Sequence, residues 1–72
     1  MSELISRLRE ARTEHGWTQA ELAERVGVTR KTINTVENGV FTPSTTLALK
    51  LARALETSVE ALFQLAEDGR SG

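Results

Sequence analysis

Residues 18–38, TQAELAERVGVTRKTINTVEN, constrain the fold more than any other part of the chain. Thr18 followed three positions later by Glu21 is a capping box, in which each side chain accepts a hydrogen bond from the other residue's backbone N–H. Gly27 stands where that helix must end, because glycine adopts a positive φ at the lowest cost. A second N-cap, Thr29, follows two residues later. The segment therefore predicts two short helices joined by a tight turn.

The second of these helices has one apolar and one polar face. Ile33 and Val36 are its inward positions. The outward positions carry polar side chains: Arg30, Lys31, Asn34 and Thr35. Two helices joined by so short a turn cross steeply, as in a helix-turn-helix whose second helix lies in the major groove of DNA. An arginine in the first turn can contact guanine O6 and N7 together, worth about 1–3 kcal/mol of discrimination.

Apolar residues recur at helical spacing along the rest of the chain, and no segment alternates as a strand does. We therefore expect an all-α fold, a compact bundle of five helices with the helix-turn-helix formed by helices 2 and 3. The first, fourth and fifth helices are expected at about 3–15, 45–55 and 59–65. The expected domain spans residues 1–66, and 67–72 form a polar tail that we expect to be frayed.

Composition excludes several classes of protein. The chain has no cysteine, so it has neither a disulfide framework nor a thiolate metal site. Its single histidine, His15, lies at a helix C-terminus without neighbouring ligands, which favours a capping role over a metal or catalytic one. No nucleophile motif or phosphate loop is present, so we expect no enzyme activity, cofactor, metal or small-molecule ligand. No apolar run approaches the roughly 18 residues of a membrane span, and we expect a cytoplasmic protein.

The net charge of −1 is unevenly distributed. Residues 1–53 carry eight Arg and Lys against six Glu, whereas residues 54–72 carry four acidic residues against one Arg. A DNA-binding domain with this charge would direct its acidic end away from DNA. We therefore expect weak non-specific binding and a reliance on specific contacts and dimerisation.

Several fragments stand in order along the chain: LREAR, GWTQAELA, VGVTRKTI, VENG, PS, LALKLARAL and SVEALF. Together they resemble the Cro/phage-repressor-like (XRE) transcriptional regulators, over roughly Leu4 to Leu65. The resemblance implies a lambda-repressor-like domain that binds double-stranded DNA, as a homodimeric repressor on a palindromic operator. The alternative is an antitoxin or adaptor module whose main role is to bind a protein partner, such as a toxin or a larger regulator.

The resemblance also implies roles for individual residues. Arg30, Lys31 and Thr35 read bases, although solvated helix charges are the alternative for the two cations. The DNA backbone contacts are Thr18, Gln19, Thr32, Asn34, Asn38 and the amides of Val40, Phe41 and Thr42; for Thr18, capping alone is an alternative. Relatives often carry lysine in place of Val40, so this chain should neutralise about one phosphate fewer. Arg12 and Glu37 form a structural ion pair beneath the DNA-binding face.

A second surface is suited to pairing of two subunits. Leu49 falls outside the apolar stripe of helix 4, and with Phe63, Leu65 and Ala66 it can form an apolar patch. The alternative is that these residues only cover the monomer, since isolated exposed leucines are common. Glu56 stands where many relatives have Gly or Asn. If its φ is positive, the strain costs about 1 kcal/mol.

Overall fold

The computed structural model describes residues 3–66, and the tail expected at 67–72 lies outside them. The five expected helices are present, with two short strands at the ends of the described chain. In chain order the elements are β1 (Leu4–Ser6), α1 (Leu8–Glu14), α2 (Gln19–Val26), α3 (Arg30–Glu37), α4 (Thr45–Ala54), α5 (Val59–Leu62) and β2 (Phe63–Leu65).

The expected all-α fold is confirmed, but the expectation that no segment forms a strand is wrong at both ends of the described chain. Strands β1 and β2 pair antiparallel, with Leu4 opposite Leu65 and Ser6 opposite Phe63. Helix α1 therefore begins at Leu8 rather than near residue 3, and α5 ends four residues after it is capped rather than near residue 65. Short apolar runs fit helical and strand spacing equally well, and the partner that decides between them lies at the other end of the chain.

Side-chain caps determine where four of the helices begin. The capping box at α2 is complete, because Thr18 Oγ1 accepts from the Glu21 N–H at 3.0 Å and the Thr18 N–H donates to Glu21 Oε1 at 2.7 Å. Helices α3, α4 and α5 begin in the same way. In each, the hydroxyl of the N-cap residue accepts a hydrogen bond from the backbone N–H three residues later; the N-caps are Thr29, Ser44 and Ser58. Each cap satisfies a backbone N–H that has no partner within its helix.

Four helices end with the same closed turn, in which a residue with a positive φ is followed by an N–H that donates to the carbonyl five residues earlier. At the end of α2 that residue is Gly27, as the sequence predicts, with φ 79°. At the ends of α1 and α3 that residue is glycine, with φ of 75° at Gly16 and 74° at Gly39. At the end of α4 it is Glu56, with φ 57°, and the Thr57 N–H donates to the Ala52 carbonyl at 2.9 Å. The left-handed conformation expected as one alternative at Glu56 is therefore present, at a cost of about 1 kcal/mol.

One hydrophobic core joins all five helices. Its buried members are Leu8, Leu22, Ala23, Val26, Ile33, Val36, Leu47, Ala48, Leu51, Ala52, Leu55, Leu62 and Phe63. Since α2, α3 and α4 each contribute two or more of these residues, the two helices of the helix-turn-helix are packed on a shared support. Within residues 3–66, no helix is long and apolar enough to cross a membrane.

Candidate nucleic-acid interface

The first turn of α3 presents two cations to solvent. Arg30 and Lys31 are both exposed, directly after the N-cap Thr29. Neither forms an ion pair or a side-chain hydrogen bond with any described residue. The two charges are therefore available to a partner outside the chain.

Farther along α3, the threonine side chains use their hydroxyl groups inside the helix. Thr35 Oγ1 donates to the Thr32 carbonyl at 2.9 Å, and the Thr32 hydroxyl pairs with the Thr29 hydroxyl at 3.0 Å. Thr35 is half-buried. With its hydroxyl proton committed, Thr35 offers chiefly its methyl group to an outside surface, which suits contact with a thymine methyl.

A buried carboxylate ties the end of α3 to α1 and α2. The Glu37 side chain is 0% exposed. It accepts hydrogen bonds from Arg12 on α1 and from Gln19 Nε2, at the start of α2, at 3.0 Å. Arg9, also on α1, approaches Glu37 Oε1 with its Nε at 3.5 Å. We call these four residues the Glu37 cluster, and it holds three helices through one carboxyl group.

The cluster keeps Glu37 ionised. Burial raises the pKa of Glu37, but hydrogen bonds from Arg12, Gln19 and Arg9 and the charge of Arg12 together outweigh burial, so the pKa lies below its ordinary 4.5. Arg12 also donates from Nη1 to the Trp17 carbonyl at 2.8 Å. The carboxylate is thus a fixed negative acceptor that orients α3, which agrees with the structural role implied for Arg12 and Glu37.

Sequence reasoning missed Arg9. It lies three positions before Arg12, so both guanidinium groups project from one side of α1. That spacing was a usable signal, because two arginines on one helix face with no acid three or four positions from either call for an acceptor on another element. Besides Glu37, Arg9 contacts Asn38, whose Oδ1 accepts from Arg9 Nη2 at 3.0 Å.

The start of α2 retains donors for an anion. Thr18 is exposed, and its hydroxyl accepts the capping bond but keeps its own proton. Gln19 is half-buried, and its amide group uses one N–H on Glu37, which leaves a second N–H. Together with the N-terminal backbone amides of an eight-residue helix, these groups suit a phosphate oxygen.

The loop after α3 requires a correction. The N–H groups of Val40 and Phe41 both donate to the Thr35 carbonyl, at 3.0 and 3.2 Å, so the expectation that these amides bind phosphate is wrong. The reason is the closed turn at Gly39, which uses the following amides to satisfy the end of α3. The Thr42 N–H makes no backbone hydrogen bond within the described chain and stays available.

The apolar surface expected for pairing lies on α4 and β2. Leu49 and Leu65 are 58% and 73% exposed, and Ala66 is exposed as well. Phe63, expected on the same surface, is instead a core residue, because β2 turns its side chain inward. It also lines an apolar groove, together with Leu4, Pro43, Ala48, Leu49 and Val59.

His15 contacts a different helix from the one it ends. Its Nε2 lies 3.0 Å from the carbonyl oxygen of Leu55, the C-cap of α4, and its ring stacks at 4.6 Å on Trp17. The guanidinium of Arg25 covers the Trp17 ring at 4.0 Å. His15 therefore satisfies the carbonyl at the end of a second helix, α4. No group of three His, Cys, Asp or Glu among residues 3–66 could hold a metal ion.

These features define a helix-turn-helix domain built to bind DNA: two capped helices, an exposed cationic first turn and a buried brace behind it. The sequence profile of the helix-turn-helix family matches residues 8–62. The chain belongs to this family, in its Cro/phage-repressor-like (XRE) branch. The family comprises DNA-binding regulators, which are not a class of enzymes.

Similar proteins point the same way. An HTH-type transcriptional regulator of Methanothermobacter thermautotrophicus is 56% identical over 63 residues, covering 86% of this chain and 91% of that protein. The restriction-modification controller protein C.AhdI of Aeromonas hydrophila superposes with a TM-score of 0.71 at 41% identity, over 75% of this chain and 78% of the other. The N-terminal DNA-binding domain of SinR from Bacillus subtilis gives 0.72 at 31% identity, over 89% and 91%.

One further relative has a different role. The antitoxin HipB of Escherichia coli K12 is 33% identical over 58 residues, which cover 81% of this chain and 66% of HipB. The same domain therefore also occurs in a protein named for its action on a toxin.

Proposed function

We propose that this protein is a sequence-specific regulator of transcription that places α3 in the major groove and represses by occupying its operator. The observation that carries the proposal is the exposed first turn of α3, where Arg30 and Lys31 have no partner among the described residues. Two unpaired cations on a helix whose other end is fixed by the Glu37 cluster favour rigid presentation to base edges over loose solvation.

The remaining contacts divide between bases and backbone. Thr35 offers a methyl group to a thymine. The DNA backbone contacts that we propose are the side chains of Thr18, Gln19, Thr32, Asn34 and Asn38 and the N–H of Thr42. None of these groups is a cation, so the salt dependence of binding should be shallow for a domain of this family.

We further propose that the protein acts as a homodimer. The apolar groove and the exposed Leu49 and Leu65 lie on one continuous surface, because Leu4 lines the groove and pairs with Leu65 in the sheet. A two-fold dimer would place two α3 helices about 34 Å apart on a near-palindromic site. Dimerisation also suits a single module of this size, which buries little DNA surface alone.

The test is fluorescence anisotropy with a labelled duplex from the gene's own upstream region and a scrambled duplex of equal composition, at two salt concentrations. The Arg30→Ala/Lys31→Ala variant is measured beside the wild type, with thermal unfolding as a control for folding. We expect tight binding to the upstream duplex only, lost in the variant. Equal, weak and salt-sensitive binding to both duplexes would contradict sequence-specific regulation.

A second candidate function is an antitoxin or adaptor that acts mainly by binding a protein, and the similarity to HipB favours it. The exposed apolar groove would then receive the partner rather than a second copy. Co-expression with the product of the adjacent gene, followed by size measurement, tests it. A stable hetero-complex that forms with the Arg30→Ala/Lys31→Ala variant as well as with the wild type would support this function.

A further inference from the structure

A continuous chain of hydrogen bonds runs from α1 to the solvent-facing side of α3. Arg9 Nη2 donates to Asn38 Oδ1 at 3.0 Å, and Asn38 Nδ2 donates to Asn34 Oδ1 at 3.3 Å. Arg9 is itself anchored by Glu37, which is buried and ionised. Asn34 is exposed on the same face as the cationic first turn. The chain therefore links the Glu37 cluster to the surface proposed to meet DNA.

The direction of each bond follows from the chemistry of the groups. A guanidinium has only donors, so it must face the oxygen of the Asn38 amide and not its nitrogen. The Asn38 nitrogen is then the end left to face Asn34, and it requires the Asn34 oxygen as its acceptor. Asn34 in turn keeps its own nitrogen, with two N–H donors, for contacts outside the chain. A single charged group on α1 thus fixes the polarity of two amides.

We propose that Arg9 is a positioning residue for DNA recognition, which acts through Asn38 to hold Asn34 as an outward hydrogen-bond donor. Asn34 then donates to an acceptor on DNA, either a phosphate oxygen or a purine N7. The same arrangement disfavours the bidentate pairing of asparagine with adenine, because the Asn34 oxygen would have to accept from adenine N6 and from Asn38 at the same time. This inference rests on the proposed function.

Arg7 provides a matched control for Arg9. The two side chains carry the same charge two positions apart and are 53% and 57% exposed. Among the described residues, the Arg7 side chain pairs only with Glu10, at 4.0 Å, and it forms no hydrogen bond or ion pair with α3. Replacing either arginine removes one cation near the same helix end, so a difference between them isolates the contacts to Glu37 and Asn38.

The experiment begins with selection of bound duplexes from a random-sequence pool by the wild-type protein. Affinity for the selected duplex is then measured for Arg9→Ala and Arg7→Ala, each in the wild-type and in the Asn34→Ala background. We expect the factor by which Arg9→Ala weakens binding to be about threefold to tenfold larger in the wild-type background than in the Asn34→Ala background. A difference of this size is typical of residues in one network. Arg7→Ala should weaken binding by the same factor in both backgrounds.

Asn38→Ala tests the inference without disturbing the fold, because it interrupts the hydrogen-bond chain between Arg9 and Asn34 but removes no partner of Glu37. It should show the same coupling to Asn34→Ala as Arg9→Ala does, with an unchanged unfolding midpoint. Repeating the selection with Asn34→Ala separates the two acceptors: relaxed preference at one base pair indicates a purine N7, and uniform weakening with the same preferences indicates a phosphate.

Equal factors in both backgrounds for Arg9→Ala and for Asn38→Ala would overturn the inference while leaving the regulator function intact. If the wild-type protein selects no sequence from the pool, the proposed function fails and this inference fails with it. Arg9→Lys offers a final check, since lysine keeps the charge but lacks the fork that reaches Glu37 and Asn38 together. It should behave like Arg9→Ala rather than like the wild type.

Discussion

Two regions of this small domain are held together in different ways. Helices α1, α2 and α3 meet at the Glu37 cluster, where one buried carboxylate accepts directional hydrogen bonds from three side chains. Around α4, α5 and the two strands, apolar contacts and backbone pairing provide the cohesion, and no ion pair occurs there within residues 3–66.

The difference reflects what each region must do. A directional, charged cluster permits one arrangement of its helices, which suits a helix that must present particular atoms to base edges. Apolar packing is less directional, so the second region can accept a neighbouring surface on its exposed leucines with little rearrangement. Substitutions in the two regions should therefore differ in their effects on stability and on binding.

Removing Arg12 should have the largest effect. Arg12→Ala leaves the buried Glu37 without its main partner, and we expect a loss of about 3 kcal/mol, the lower part of the range for a broken buried pair because Arg9 and Gln19 still donate. Urea denaturation measures this change. Arg7→Ala, which breaks only the exposed pair with Glu10, should cost less than about 0.5 kcal/mol. Equal losses in the two variants would remove the distinction between the cluster and a surface pair.

Replacing the whole pair tests whether the cluster specifies geometry or mainly supplies stability. The variant Arg12→Met/Glu37→Leu should recover most of the stability lost in Arg12→Ala, because apolar residues can replace a buried ion pair at little net cost. Sequence-specific DNA binding should not recover, since α3 is no longer oriented. Recovery of both properties would show that apolar packing can position α3 equally well.

Acidification should weaken the first region, where α1, α2 and α3 meet at the Glu37 cluster, more than the second region around α4, α5 and the strands. The pKa of Glu37 is lower in the folded protein than its ordinary 4.5, since hydrogen bonds and the charge of Arg12 outweigh the opposing effect of burial. The stabilisation that ionised Glu37 provides is therefore fully present above about pH 4.5. It is lost as the pH falls through the lower pKa that Glu37 has in the folded protein. We expect the free energy of unfolding to decline below pH 4.5 more steeply in the wild type than in Glu37→Gln. Parallel curves for the two proteins would contradict this assignment.

How much the sequence could predict also differs between the two regions. The capping box at Thr18 and the caps at Thr29 and Ser44 are local signals, so α2, α3 and the start of α4 are where the sequence indicated. The strands carry no local signal, because Leu4 pairs with Leu65 at the other end of the described chain. Arg9 is an intermediate case: its spacing from Arg12 indicates a shared helix face, but the acceptor, Glu37, lies on another helix.

The turn after α4 offers a smaller, favourable change. Glu56 has a φ of 57° in a closed turn where the equivalent residues of α1 and α3 are glycine. Glu56→Gly should raise the free energy of unfolding by about 1 kcal/mol, because glycine avoids the strain between Cβ and the following carbonyl. Gly39→Ala, the converse change, should lower it by about the same amount. DNA affinity should be unchanged in Glu56→Gly, since the turn lies outside the first region; a loss of affinity would connect the two regions.

The smallest effect on folding should come from Leu65, whose importance we place in association. Leu65 is 73% exposed, so Leu65→Ser should change the free energy of unfolding by less than about 0.5 kcal/mol, measured on dilute protein where dimerisation does not contribute.

The dimer dissociation constant from sedimentation equilibrium should nevertheless rise about a hundredfold, since the change removes one leucine from each subunit and a leucine buried in an interface contributes roughly 1.5 kcal/mol. Ile5 is the matched control, because the register places it opposite Gln64 on the other face of the sheet. Ile5→Ser should leave the dissociation constant unchanged. If both variants weaken the dimer equally, the sheet edge rather than the groove face joins the subunits; if neither does, the second region serves another partner.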